Sequence, residues 1–281
     1  MLSLNSYRAT RATPTAAAIV FLAQLVAGAQ QQRSNSPAAW PCGARIDSSY
    51  FRVAEGTGGH LLLLAPEEIG DSAALLTALG AHPQTIFRLA GSVTAGLHEF
   101  DVPIDSSVES VLFSISVQCL QTAEVVRPSG ALAVGDDATL LPNFRAQHVV
   151  IVKRPQPGTW TLRVAGSGIA AIVVQAQSAI GMSQPEFASA SGAPFSRIPV
   201  AGVENIATLR IGGRVSDVHA TLVSGQFVAL GDLPLATGEG EGSYVSRFTP
   251  GAQPFRILVT GKDADGLTFQ RMSAALVAPM R

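Results

Sequence analysis

PGTWTLRV, residues 157–164, is the stretch that shows most directly what kind of fold this chain adopts. A Pro-Gly turn leads into a segment in which Trp160, Leu162 and Val164 alternate with polar residues. Successive side chains of a β-strand point to opposite faces, so these three side chains share one face. The pattern predicts a core strand of a β-sandwich, with the indole of Trp160 as a central packing group.

The composition agrees with a β-rich globular protein. The chain has 281 residues, of which 47% are hydrophobic and 14% are charged, and it contains 27 glycines and 17 prolines. Disorder needs low hydrophobicity, so this balance argues against it. Abundant glycine and proline are typical of many short strands joined by turns.

The clearest alternation in the chain lies between residues 110 and 119. Its apolar members are predicted core residues, and serines and a glutamine separate them. The apolar positions are Val111, Phe113, Ile115, Val117 and Cys119. Around this strand we predict others near 97–102, 122–127, 131–134, 147–153, 159–165 and 169–177, with a hairpin turn at 165–168. Short strands at this spacing indicate an antiparallel sandwich.

A second strand series follows residue 195. Phe255, Ile257 and Val259 alternate with polar residues and are predicted core positions, and a hairpin turn is predicted at 261–266. The predicted fold is therefore mostly β. It consists of two tandem antiparallel sandwiches, immunoglobulin- or fibronectin-like or jelly-roll-like, preceded by a small α/β segment.

The domain prediction divides the chain into six parts. They are a signal peptide (1–29), a flexible leader (30–41), a small α/β cap (42–91), β-sandwich 1 (92–180), a linker (181–194) and β-sandwich 2 (195–281).

The N-terminus has the three features of a secretory signal peptide. Arg8 and Arg11 precede an apolar run at 16–26, and residues 27–29 read Ala-Gly-Ala. An uncleaved anchor helix is the alternative, but the run falls short of the roughly 20 residues that a membrane span needs. We therefore expect a secreted protein, extracellular or periplasmic, without a membrane span after cleavage.

The charge balance gives no reason to expect a nucleic-acid partner. Removal of residues 1–29 takes away two arginines, which leaves 17 basic against 20 acidic residues and a net charge of −3. Nucleic-acid binding requires a clustered cationic surface. The partner is expected to be a protein or a cell surface.

The predicted cap combines a helix, a strand and a second helix. A helix ends near 51–55 before the glycines of 56–59, and the apolar run 60–64 is typical of a strand buried on both faces. A second helix starts near Pro66, and its apolar face has helical spacing. That face is made of Ile69, Ala73, Leu76 and Leu79.

The two cysteines allow two interpretations. In an oxidising compartment Cys42 and Cys119 can form a disulfide that ties the N-terminal segment to the first sandwich. Alternatively, Cys119 stays reduced and is buried as a small hydrophobic residue.

Motifs for catalysis or metal binding are weak. The five histidines lack the spacing of a zinc site, and residues 165–168 have Ala165 where a G-x-S-x-G elbow requires glycine. Asp263 and Asp265 resemble the start of a calcium loop, but the downstream glutamate is missing, and a solvated hairpin turn is the competing interpretation. No catalytic residue and no cofactor is predicted.

Three motifs, in order, resemble a known family. They are AEGTGG (54–59), GTWT (158–161), and VTGKD (259–263) followed by FQR (269–271). The first resembles the turn before the last strand of von Willebrand factor type A domains. The others resemble the β-rich region that follows such a domain in hemicentins and related secreted proteins.

The metal site of type A domains is not matched by this chain. That site uses a D-x-S-x-S motif, and the stretches starting at Asp47 and Asp105 both lack the second serine. The resemblance therefore implies an extracellular interaction or structural role, without metal-dependent adhesion.

These observations predict a secreted, non-catalytic interaction or structural protein of the adhesion or matrix kind. A carbohydrate- or cell-wall-binding accessory module is the alternative, since sandwiches often present aromatic platforms. A secreted hydrolase is the third hypothesis.

Overall fold

The computed structural model describes residues 42–141, 144–190 and 198–281. The predicted signal peptide and leader lie outside these residues. Three helical segments come first: α1 (Ser48–Thr57), a 3₁₀ helix (Pro66–Asp71) and α2 (Ser72–Gly80). The strands of the described residues are β1 (Gln84–Ile104), β2 (Val108–Val126), β3 (Ala138–Leu140), β4 (Gln147–Lys153), β5 (Gly158–Ser178), β6 (Gly181–Met182), β7 (Glu186–Ser189), β8 (Asn205–Gly212), β9 (Ser216–Val223), β10 (Ala229–Leu233), β11 (Ala236–Thr237), β12 (Ser243–Phe248), β13 (Arg256–Lys262) and β14 (Thr268–Met272).

The first sandwich is a single antiparallel sheet that folds back on itself. Its strand order is β1-β5-β2-β4-β3, and β1, β2 and β5 are 19 to 21 residues long. Phe113 lies opposite Val174, which is 14 residues from Trp160 along β5. A straight strand would separate those positions by about 46 Å. The rings of Phe113 and Trp160 are nevertheless 5.4 Å apart, so the long strands must bend and pack one half of the sheet on the other.

Irregularities in strand pairing mark the bend. The register shifts between Val93 and Gly96 on β1 and between Leu120 and Thr122 on β2. Bulges of this kind bend a strand and increase its twist. A Cβ at Gly166 would lie 2.7 Å from the carbonyl oxygen of Cys119, so glycine permits the close approach of β5 to β2 there.

The prediction of a hairpin turn at 165–168 is wrong. These residues continue β5, because Gly166 pairs with Gly96 on one side and with Leu120 on the other. The glycines that suggested a turn serve the bend instead.

The second sandwich consists of two sheets. One has the order β10-β9-β13-β14; in the other, β11, β12 and β8 are neighbours, and both β6 and β7 pair with β8. Phe255 packs edge to face against two other rings in the core of this sandwich: it lies 6.2 Å from Phe187 and 6.0 Å from Phe248, each at an interplanar angle of 89°. Such edge-to-face contacts are favourable because the positive ring edge meets the negative ring face.

The linker predicted at 181–194 is not supported by the described part of this stretch. Residues 181–182 and 186–189 form β6 and β7, and both strands pair with β8. The glycine, serine and proline residues that suggested a linker here lie in and between two short edge strands. Residues 191–194 lie outside the described part of the chain.

The predicted cap is shorter than expected and less regular. β1 starts at Gln84, inside the 42–91 stretch assigned to the cap. Residues 60–64 are buried but, apart from a bridge at Leu61, belong to no strand. Leu62 packs with Leu75 of α2, whereas Leu61 packs with Ala54 of α1. The segment is therefore apolar on both sides because helices and sheet enclose it.

The buried face of α2 also differs from the prediction. Leu75, Ala78 and Leu79 are buried, whereas Ala73 is exposed. A 3₁₀ helix has 3.0 residues per turn rather than 3.6, so the preceding 3₁₀ segment rotates the phase of the apolar stripe. A single continuous α-helix, as predicted from the sequence, would not rotate its apolar face in this way.

The predicted fold class is confirmed, since the chain is mostly β and its sheets are antiparallel. Of the eleven predicted core residues, Cys119 is half-buried and the other ten are at most 1% exposed. These ten are Val111, Phe113, Ile115, Val117, Trp160, Leu162, Val164, Phe255, Ile257 and Val259.

Replacing Trp160 by alanine tests the fold-back of the first sandwich. The side chain is fully buried, contacts Phe113 and donates a hydrogen bond to the carbonyl oxygen of Gln156 at 2.9 Å. We expect Trp160→Ala to lower the free energy of unfolding by about 3–5 kcal/mol. Urea denaturation measures the change, and Leu97→Ala is the control because Leu97 is 63% exposed. Equal effects of the two substitutions would contradict the fold-back.

Candidate functional site

The most unusual site of the molecule is a buried ion cluster where the cap meets both sandwiches. Glu55 of α1 lies between Arg88 of β1 and Arg256 of β13. Oε1 of Glu55 is 2.7 Å from Nη2 of Arg88, and Oε2 accepts a hydrogen bond from Nη2 of Arg256. The exposed fractions of the three residues are 4%, 2% and 0%. One carboxylate thus joins three separate parts of the fold.

Backbone carbonyls complete the coordination of Arg88. Its Nη1 donates to the oxygen of Gly58 at 3.0 Å, and its Nη2 also donates to the oxygens of Ala54 and Gly59. Two of these acceptors are at the C-terminus of α1, where helix carbonyls lack partners within the helix. Arg88 therefore binds the end of α1 as well as its carboxylate.

Arg256 is held less completely. Its Nε donates to the carbonyl oxygen of Ala274 at 3.2 Å, while its Nη1 has no hydrogen-bond partner among the described residues. Burial lowers the pKa of Arg256 to about 10, and Glu55 opposes that shift. One carboxylate against two guanidiniums leaves the cluster with a net charge of +1. Arg256 therefore depends on Glu55 for compensation.

His60 lies close to this cluster and is itself buried. Burial, and next the positive charge of Arg88, lower the pKa of His60 to about 4, although Glu55 acts in the opposite direction. The imidazole is therefore neutral at physiological pH and adds no charge to the cluster.

A second buried ion pair joins the two sandwiches directly. Nη1 of Arg271 on β14 lies 2.7 Å from Oδ2 of Asp105, which follows β1, and both side chains are 0% exposed. Nε of Arg271 donates to the carbonyl oxygen of Ile180 at 2.9 Å, and Nη2 donates to the hydroxyl of Ser178 at 2.5 Å. The last residue of the FQR motif is thus a junction residue.

Asp263 and Asp265, the weak calcium candidates of the sequence, lie at the same junction. Oδ2 of Asp263 accepts hydrogen bonds from the backbone N–H and the hydroxyl of Ser106, at 2.9 and 2.8 Å. Oδ1 accepts from the N–H groups of Asp265 and Leu267, at 3.0 and 2.8 Å. Asp265 accepts from the Ser106 hydroxyl at 2.6 Å. This arrangement closes the predicted hairpin turn and ties it to the first sandwich.

The acidic residues of this hairpin do not meet further candidate ligands. In residues 42–141, 144–190 and 198–281, no three histidine, cysteine, aspartate or glutamate side chains come together as a metal site. Calcium binding by Asp263 and Asp265 stays the weaker of the two interpretations of this hairpin, and calcium titration tests it.

The D-x-S motifs that resemble part of a type A metal site have structural roles here. Asp47 caps the N-terminus of α1, accepting a hydrogen bond from the N–H of Ser49 at 2.8 Å. Asp105 pairs with Arg271. Within the described part of the chain, neither stretch belongs to a group of three histidine, cysteine, aspartate or glutamate side chains that could hold a metal.

The two cysteines form one disulfide. Cys42 is exposed and Cys119 of β2 is half-buried, with their Cα atoms 4.6 Å apart. Nearby, Nε2 of Gln118 donates to the carbonyl oxygen of Ala44 at 2.6 Å. The short segment that leads into α1 is thus attached to β2 covalently and by a hydrogen bond.

Two surface grooves are open to solvent. One, of about 110 Å³, lies on the first sandwich beside Leu132, Val134, Leu140 and His148. Those three aliphatic side chains are 45%, 70% and 52% exposed, and burial lowers the pKa of His148. The three residues are called the apolar patch below. The other groove, of about 380 Å³, lies on the second sandwich next to β10 and includes Asp232, Arg247 and Gln253.

An aromatic platform for sugars is not seen in the part of the chain that the structure describes. Its phenylalanine, tyrosine and tryptophan side chains are all buried or half-buried. Trp40, which the sequence places in the leader, lies outside the described residues.

The sequence analysis missed the ion cluster. The available signal was a charged residue inside an otherwise apolar strand: Arg88 stands in IFRLA and Arg256 in FRILV. Alternation alone predicts that Arg256, between Phe255 and Ile257, faces solvent, because that pattern treats every polar residue as exposed. Charged side chains in such runs are buried only when paired, so a partner should have been sought.

The family comparison falls on the first sandwich. Residues 88–179 match the model described as hemicentin galactose-binding domain-like. The first sandwich is similar to a hemicentin domain. Hemicentin-1 of mouse is 27% identical over 191 residues, or 63% of this chain, and Hemicentin-1 of human is 27% identical over 238 residues, or 80% of it. The chain spans only 3% and 4% of the length of these relatives.

A lipase of Bacillus licheniformis in its propeptide form is a structural neighbour. The TM-score is 0.32 at 12% identity, covering 67% of this chain and 40% of the lipase chain. A similarity of this size establishes neither a shared fold nor a shared activity.

Replacing Glu55 by glutamine should strongly destabilise the molecule. The substitution keeps the size of the side chain but leaves two buried guanidiniums without a counter-charge, which should cost about 3–5 kcal/mol of unfolding free energy. Glu204→Gln is the matched control, since its pair with Arg247 is exposed and should contribute less than about 1 kcal/mol. Guanidinium chloride denaturation measures both. Similar losses for the two variants would contradict the role assigned to Glu55.

Part of the free energy of unfolding should depend on pH through the ionisation of Asp263. Burial raises its pKa, but the hydrogen bonds from Ser106, Leu267 and Asp265 outweigh burial and hold the pKa below its ordinary value of 3.8. Its contribution is therefore complete above about pH 4 and disappears as the pH falls through the lowered pKa. We expect Asp263→Asn to be less stable than wild type at pH 6, with the difference shrinking towards pH 3. A constant difference in melting temperature across this range would show that ionised Asp263 is not responsible.

Proposed function

We propose that this chain is a secreted, non-catalytic interaction or structural module of the adhesion or matrix kind. The observation that carries the proposal is the match of residues 88–179 to the hemicentin galactose-binding domain-like model. The disulfide supports a location outside the cytoplasm, since such bonds persist in oxidising compartments. Among the described residues, no helix has the length and apolar character needed to cross a membrane.

The packing between the sandwiches supports a structural role. Besides the Glu55 cluster and the Asp105–Arg271 pair, Nε2 of Gln270 donates to the carbonyl oxygen of Ile86 at 2.9 Å, and the rings of Phe87 and Phe227 are 4.7 Å apart. Apolar, hydrogen-bonded and ionic contacts thus connect both halves. Relative motion of domains is the default expectation unless a large, apolar interface opposes it, and here buried apolar contacts act together with buried ionic ones. We therefore propose that the two sandwiches present their surfaces at one fixed angle.

The apolar patch is the contact surface we propose for a protein partner. It lies within the hemicentin-like part of the chain, and its three aliphatic side chains surround one groove. Single exposed apolar residues are common on protein surfaces, but clustering around a groove marks an interaction site.

A binding experiment with a patch variant tests this function. The fluorescently labelled secreted chain is incubated with intact cells and extracellular matrix of the organism that produces it. We expect saturable binding that is removed by protease treatment of the target. The triple variant Leu132→Ser, Val134→Ser, Leu140→Ser should weaken binding at least about tenfold, as loss of a few well-packed contacts does.

A second triple variant controls for the loss of apolar surface. Val53, Val203 and Leu267 are 39%, 45% and 38% exposed and lie away from the patch, so their replacement by serine should leave binding unchanged. Equal loss in both variants, or no saturable binding by the wild type, would contradict the proposal.

Carbohydrate binding is the alternative function. The family description refers to a galactose-binding-like domain, and the groove beside β10 offers the carboxylate of Asp232, the guanidinium of Arg247 and the amide of Gln253. Such groups can hydrogen-bond sugar hydroxyls. Binding on a glycan array that Asp232→Ala and Gln253→Ala abolish would favour this alternative over a protein partner.

The hydrolase hypothesis has the weakest support. Ser167 lies within β5 opposite Cys119, rather than on the sharp strand-to-helix turn that exposes a nucleophilic serine. We therefore propose a non-enzymatic role.

The relation of the cap to a type A domain is also a proposal. The alignment with human Hemicentin-1 covers 80% of the chain and so extends beyond the 92 residues of the first sandwich. The AEGTGG stretch at 54–59 supplies the end of α1 and carries Glu55. We propose that the cap corresponds to the end of such a domain, retained here because it completes the ion cluster.

A further inference from the structure

We propose that the Cys42–Cys119 disulfide is a redox-sensitive latch that controls the junction between the two sandwiches through helix α1. The inference goes beyond the proposed function, because it holds whichever partner the protein binds. It rests on three observations: how α1 is attached, what α1 supplies to the junction, and how accessible the disulfide is.

The contacts of helix α1 are concentrated near its C-terminus, and at its N-terminal half Tyr50 and Phe51 are only half-buried. The helix has ten residues, and only Ala54 and Glu55 are buried. Isolated helices of this length are marginal in water, so packing or covalent attachment must hold it in place. Four residues separate Cys42 from the N-cap Asp47. The disulfide and the hydrogen bond from Gln118 to Ala44 thus fix the segment from which α1 starts.

The junction depends on what α1 supplies. Glu55 is the only carboxylate paired with either Arg88 or Arg256 among the described residues. Its backbone oxygen also accepts a hydrogen bond from the N–H of Leu276 at 2.7 Å, which attaches α1 to the end of the second sandwich. If α1 leaves, two buried guanidiniums lose their counter-charge, and the buried interface around them becomes unfavourable.

The Cys42–Cys119 disulfide is accessible from solvent. Cys42 is exposed and Cys119 is half-buried, so an external thiolate can attack the sulfur of Cys42. Exposed disulfides are those most open to thiol–disulfide exchange. An external dithiol supplies two electrons and two protons: the S–S bond breaks, both cysteines become thiols, and the dithiol is oxidised to its own disulfide.

Hydrogen–deuterium exchange with and without dithiothreitol tests the latch on the full secreted chain. If the inference holds, reduction speeds exchange in α1 (48–57) and at the β13–β14 pair (256–272) by roughly tenfold or more, as expected for loss of a buried charge partner. Strands β2 and β4 should keep most of their protection. The Cys42→Ser, Cys119→Ser variant should reproduce the reduced pattern without any reductant.

A disulfide that stabilises only its immediate surroundings predicts a different pattern of hydrogen–deuterium exchange. In that case faster exchange is confined to residues near 42–47 and 117–121, and the inference is overturned. Uniform acceleration over all strands would likewise overturn it, because that is the signature of a disulfide acting only on the unfolded chain.

A double-variant cycle separates the latch from general destabilisation. In Glu55→Gln the guanidiniums already lack their counter-charge, so reduction should add less to the exchange of 256–272 than it does in wild type. Additive effects would contradict the latch. If Glu55→Gln does not fold, the comparison of oxidised and reduced wild type still decides between the outcomes.

Discussion

One carboxylate determines how the three parts of this protein can be arranged. Glu55 lies between two arginines from different sandwiches, and all three side chains are removed from water. Bringing such charges together is not by itself a source of large stability, because their desolvation offsets most of the attraction. The arrangement is instead restrictive: any other placement of cap or sandwich leaves a buried charge alone. The cluster therefore favours specificity of assembly over raw stability.

The same constraint explains why the second ion pair lies where it does. Asp105 and Arg271 join the sandwiches at the hairpin that Asp263 and Ser106 close. Two separate ionic contacts fix an orientation better than one, since a single contact still allows rotation about itself. Both lie beside apolar and hydrogen-bonded contacts of the strands, so the junction resembles a domain interior more than a flexible hinge. A module with this construction suits a role in which the distance and angle between surfaces matter.

Much of the architecture could be predicted from local pattern. Alternation over 111–119 and 157–164 marks buried strand faces, because a sheet packed on one side repeats every two residues. Pattern could not reveal that β5 runs through the glycines at 166 and 168, since glycine is as compatible with a bend as with a turn. It also could not pair Glu55 with Arg256, which are 201 residues apart, because such partners are chosen by the tertiary fold. The spacing of Asp263 and Asp265 marks a hairpin turn or, more weakly, a calcium loop, but it could not reveal their hydrogen-bond partner Ser106, which is distant in sequence.

We infer that the cap and the two sandwiches form one cooperative unit held by the Glu55 cluster. Differential scanning calorimetry of the oxidised chain tests it most directly. One cooperative unit predicts a single transition whose calorimetric enthalpy equals its van't Hoff enthalpy. Two resolved transitions, or a van't Hoff enthalpy near half the calorimetric value, would show that the sandwiches unfold independently and would contradict the account.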